Sequence, residues 1–180
     1  TNGMLVLTNV QSVNQGIYEA IVTNPELNVG SLPATLTVLN VDFGDAPAPP
    51  YPTLLSQNGA RHLVDPAMYL GSGVDLEPDS QGDSTATGDD LRATDDEDGV
   101  VFTSALVVGQ PASLEITASQ AGLLSAWVDF KNSGLWEDPG DQIFTNLTLQ
   151  AGLNPLTIPV PPDAAATDTF ARFRYSQTPD

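Results

Sequence analysis

Between residues 99 and 177 apolar side chains recur in runs of eight to ten positions, each cut short by glycine, proline, asparagine or aspartate. The six runs read "GVVFTSALVV", "ASLEITAS", "GLLSAWVDF", "QIFTNLTLQ", "NPLTIPVP" and "TFARFRYS". Runs this short, separated by turn residues, suit strands better than helices. Six of them in sequence predict an antiparallel β-sandwich over residues 99–180. In the last run Phe170, Arg172 and Arg174 share one face while Ala171, Phe173 and Tyr175 share the other. The arginines then belong on an outer face or beside carboxylates.

Residues 1–40 also alternate in the strand period, through "MLVLTNV", "GIYEAIVTN" and "SLPATLTVLN". The stretch "NVQSVNQGIYEAIVTN" resembles the corner and penultimate strand of an immunoglobulin-like domain, where a tyrosine hydroxyl bonds back to the preceding loop. The matching residues are Asn14, Gly16, Tyr18 and Ala20, with Ala20 standing where that family has cysteine. The resemblance implies the last strands of such a domain. Because the chain opens at "TNGMLVLTNV" it reads as a piece of a longer protein. Half a sandwich cannot bury its own inner face, so these strands need partners, supplied in cis or by a neighbouring subunit through strand exchange.

Residues 41–98 differ. They are rich in Pro, Gly and Asp and hold 13 of the 23 acidic residues but only two basic ones, Arg61 and Arg92. Anchors such as Phe43, Tyr51, Leu54, Leu63 and Tyr69 are too numerous for a solvated tether. An ordered acidic leader packed on the next domain is expected.

The formal net charge of -18 repels nucleic acid and anionic lipid and attracts cations. No apolar run approaches the roughly 18–20 residues that span a bilayer, so membrane insertion is not expected. The chain has no cysteine, which removes disulfides and thiolate chemistry.

"DFGDAP", "GARH", "LGSGVDLEPD", "GDD" and "DDEDGV", followed by "AWVDFKNSGLWEDPGDQIF" and "ARFRYS", resemble in order the motifs of a GEVED-type β-sandwich module of secreted bacterial surface proteins. The match runs over residues 42–177. It implies an extracellular, modular, non-enzymatic role and names no ligand.

Calcium is the expected cofactor, because it takes about 6–8 oxygen ligands from flexible loops. Crowded carboxylates raise one another's pKa, and a bound divalent ion relieves that cost. The leader supplies Asp75, Glu77, Asp89, Asp90, Asp95, Asp96 and Asp98 as ligands; a solvated, salt-screened loop is the alternative. The loop "DFKNSGLWEDPGD" has a calcium-loop skeleton, with Asp129 first, Ser133 fifth and Gly134 sixth. Lys131 at the third place argues against an ion. The expectation there is a lysine standing in for the metal, bridging Asp129 and Glu137 or Asp141, or else facing solvent. As the only lysine, Lys131 is also the only one that could form an intramolecular isopeptide bond, which requires it inside a strand-lined core.

No Gly-x-Ser-x-Gly elbow is present, and His62 is the sole histidine, read as structural. Trp136 and Tyr51, if exposed, would offer stacking platforms for polysaccharide. The sequence thus predicts an all-β structural module of a surface, matrix or filament protein, stabilised by calcium and self-associating with copies or neighbouring domains. An adhesion module binding carbohydrate or a host surface is the rival.

Overall fold

In the computed structural model, which describes residues 4–74, 76–88 and 99–179, every regular element longer than three residues is a strand. The protein is all-β. Among the described residues no helix is long and apolar enough to cross a membrane. The chain divides into two units, residues 1–40 and 41–180.

The second unit is built on the alternation that the sequence carries. Strand β8 (Pro111–Ala118) buries Ala112, Leu114, Ile116 and Ala118 and turns the intervening residues outward. Strand β9 (Gly122–Val128) buries Leu124, Ala126 and Val128 against the same core, joined by Phe130, Leu149, Ile158 and Val160. Each of the larger side chains, Leu, Ile, Val and Phe, contributes about 1.5–3 kcal/mol when it leaves water.

Two antiparallel three-stranded sheets result. In one, β9 lies between β10 (Gln142–Leu149) and β12 (Ala171–Ser176); in the other, β8 lies between β7 (Val100–Phe102) and β11 (Gly152–Pro159). Thr103 and Ser104 both donate their N–H to Ser113 O, so the odd-numbered positions of β8 face β7. The even positions then pair with β11, and Pro155 and Pro159, opposite Glu115 and Pro111, turn their ring nitrogens to the open edge.

The run "GVVFTSALVV" forms a strand only over β7. Leu106, Val107 and Val108 lie in the following loop, exposed.

The leader is fastened to this sandwich. Strands β5 (Val41–Phe43) and β6 (Arg61–Leu63) pair with each other. Tyr69 and Ser119 exchange hydrogen bonds, Gly71 donates to Thr117 O, and Leu70 forms a bridge to Ala118. Buried Glu77 accepts from Phe43 N–H at 3.3 Å and from Gln81 Nε2 at 3.0 Å.

The first unit has two small sheets. Strand β1 (Gly16–Tyr18) pairs with β4 (Ala34–Leu36), and β2 (Ile21–Thr23) pairs with β3 (Asn28–Gly30). Tyr18 Oη donates to Asn14 O at 2.6 Å, the corner bond expected from "NQGIY". No described residue of this unit is buried, and "MLVLTNV" forms no strand over its described residues. Val13, Ile17, Val22 and Leu32 are among the exposed apolar side chains, at 71–90%.

Candidate metal centre

Where β9 leaves the core, the chain makes a loop before re-entering as β10, and the two ends of that loop are aspartates. Asp129 follows Val128, and its N–H donates to Phe170 O. Its carboxylate folds back over the loop. Oδ1 accepts from Ser133 N–H at 2.9 Å, and Oδ2 accepts from Gly134 N–H at 2.8 Å and Tyr51 Oη at 2.7 Å. The reversal needs a left-handed backbone at Gly134, with φ +79°.

Asp141 arrives through a tight turn. In Asp138-Pro139-Gly140-Asp141, Pro139 sits at the second position and Gly140, at φ +96°, at the third, while Asp141 N–H donates to Asp138 O at 3.1 Å. That is the chemistry of a type II turn. It brings the side chains of Asp138 and Asp141 back toward Asp129.

Asp129, Asp138 and Asp141 each present a carboxylate oxygen within 4.8 Å of the other two, a group that could hold a metal ion. Asp129 and Asp141 are both 0% exposed, and Asp138 is half-buried. Asp141 Oδ1 accepts from Phe130 N–H at 3.2 Å, whereas its Oδ2 is buried without a hydrogen-bond partner. An unmatched buried carboxylate oxygen is costly. It is the oxygen with a coordination position to spare.

The two buried carboxyls respond in opposite directions. Burial pushes Asp129 up, but donation from Ser133 N–H, the Tyr51 hydroxyl and Gly134 N–H outweighs it and holds the group below the ordinary carboxylate range. Burial also pushes Asp141 up; Phe130 N–H opposes this, and the charges of Asp129 and Asp138 add to the rise. Tyr51 is raised as well, by burial first and then by its bond to Asp129.

The lysine does not stand in for a metal. Lys131 Nζ ion-pairs with the Asp163 carboxylate and does not bridge Asp129 to Glu137 or Asp141. Its four-carbon stem reaches a segment 32 residues away, so the space among the aspartates is left to them. The side chain is 34% exposed and outside the hydrophobic core, which is not the setting an isopeptide bond requires.

Tyr51 is not a surface aromatic. It is 1% exposed, stacked on Trp136 with centroids 4.5 Å apart and edge-on to Phe170 at 5.5 Å. Trp136 is half-buried. Glu77 and Glu137 do not join the three aspartates, Glu77 being occupied with Phe43 and Gln81. Asp75, Asp89, Asp90, Asp95, Asp96 and Asp98 lie outside the described residues.

Asp138 is the member of the centre that the spacing analysis missed. The Asp-Pro-Gly-Asp string carried the signal, because a type II turn brings its two ends close together. His62 accepts from Arg174 Nε through Nε2 at 2.5 Å, and Arg172 lies over the Trp127 ring at 5.2 Å. Arg61 donates to Gly59 O at 2.9 Å.

No protein-family model, curated protein or solved structure matches the chain.

Proposed function

We propose that the chain is a non-enzymatic structural module of an extracellular bacterial surface, matrix or filament protein, a GEVED-type sandwich whose leader is clamped by calcium. The observation that carries this is the position of the buried acids. Asp129 and Asp141 lie in the loop against which leader residue Tyr51 packs, and Glu77, itself in the leader, ties strand β5 to the rest of the leader. Charges placed at such joins fasten segments together. Three carboxylates on one loop suit calcium, a hard ion that accepts irregular oxygen coordination.

Self-association follows from the first unit. Two-stranded sheets with exposed apolar faces are marginal alone, and strands from another copy or a neighbouring domain would cover them. The second reading, a polysaccharide-binding adhesion module, rests on Trp136, which lines a cleft of about 700 Å³ with Phe43, His62 and Phe173.

Thermal unfolding in calcium and in chelator tests the first reading. An ion held at a hundred times its dissociation constant adds about 2.7 kcal/mol, which raises the midpoint by roughly 10 °C for a unit of this size. Equal midpoints in the two conditions would remove calcium from the account. Retention on polysaccharide columns that Trp136→Ala abolishes would favour adhesion.

A further inference from the structure

We infer that the cation held by Asp129, Asp138 and Asp141 locks the leader onto the sandwich through Tyr51, so that ion binding and leader docking form one linked equilibrium. The inference deepens the calcium reading of the same centre and rests on it. The site does not stand on acidic residues alone: Asp141 is fully buried and its Oδ2 has no hydrogen-bond partner.

The leader meets the loop at three points. The Tyr51 hydroxyl donates to Asp129 Oδ2, the Tyr51 ring stacks on Trp136, and Pro50 lies against Gly134 so closely that a Cβ there would come within 2.5 Å of Pro50 Cβ. Asp129 therefore accepts from three donors, Tyr51, Gly134 and Ser133. Oδ2 takes both Tyr51 and Gly134, which leaves Oδ1, with one backbone donor, as its metal-facing oxygen.

Tyr51 is thus a positioning residue. Its O–H fixes the carboxylate's rotation, and its ring keeps water from the loop. A cation in turn neutralises the repulsion among three carboxylates within 4.8 Å, so the loop keeps the shape on which Tyr51 docks. Thermodynamic linkage makes this reciprocal: the factor by which the ion strengthens docking is the factor by which docking strengthens ion binding.

The test uses the full chain and two separate readouts. Calcium affinity is measured by competition against terbium(III), whose luminescence Trp136 and Tyr51 should sensitise. Docking is measured by hydrogen exchange at the Tyr51 and Thr53 amides, which donate to Pro47 O and Tyr51 O. Calcium should slow exchange at both amides at least tenfold, and Asp138→Asn should abolish the slowing. Tyr51→Phe, which keeps the ring, should bind calcium about tenfold more weakly, as loss of a residue that orients a metal ligand usually does.

If calcium binds but leaves those two amides unchanged in the unaltered chain, the latch is wrong while the cation site stands. That comparison needs no variant to fold. If neither ion binds at millimolar concentration, the calcium reading itself falls.

Discussion

Asp141 places two opposing demands on the fold. Its backbone N–H and O hold the loop and β9 in place, while its side chain is buried beside two other carboxylates. With its carboxyl raised in the folded state, the ion-free protein binds a proton there more tightly than the unfolded chain does. Stability from this group is therefore greatest below the ordinary carboxylate pKa and is lost as pH rises through the raised value. Asp129, held low, works the other way: its contribution is present above the ordinary pKa and is lost as pH falls through the lowered one.

Under the proposed calcium reading, the ion would remove the Asp141 penalty by displacing its proton. Calorimetric titration near the raised value should show proton release that disappears at higher pH. Asp141→Asn should raise the melting midpoint in chelator by a few degrees, because a buried charge is gone, and lower it relative to the unaltered protein in calcium. Shifts of the same sign in both conditions would mean that Asp141 acts only through packing.

At the scale of the element, the loop from Asp129 to Asp141 and the leader are two halves of one structure. Gly134 is one of the points where they touch. Gly134→Ala adds a Cβ at φ +79° and drives it against Pro50, so it should destabilise the second unit by about 1–3 kcal/mol. Denaturant unfolding reads this directly, and a neutral result would mean that Pro50 yields.

How far these elements were legible follows from the range of the forces that shape them. Strand β8 could be read off because one-sided burial imposes alternation on contiguous residues, whereas β9 to β12 were marked by short apolar runs between turn residues. The second half of "GVVFTSALVV" misled because apolar content without a pairing partner makes a loop. Asp129 and Asp141 were visible from spacing within one loop. Tyr51, read both as a leader anchor and as a possible stacking platform, is settled as buried by a partner, Asp129, that lies 78 residues away. The bridging reading of Lys131 failed for the same reason: loop numbering gives its position but not that Asp163 comes within reach.

For the whole molecule the contrast is between a unit with its own interior and one without. Residues 41–180 contain the whole buried core, and the described residues 4–40 contain none of it. Expressed alone, residues 41–180 should unfold in a single cooperative transition, whereas residues 1–40 alone should show no sigmoidal transition by circular dichroism. A cooperative transition in the short fragment would show that it closes on itself without added strands, and would weaken the proposal of assembly through that unit.

The prolines of β11 bear on the pairing of copies at that edge. Pro155 and Pro159 give the outer rim of that sheet two positions with no hydrogen to donate. A foreign backbone laid along the rim meets two missing donors four residues apart, which weakens pairing there. Crowded neighbours can therefore lie flank to flank there without fusing into one continuous amyloid-like ribbon.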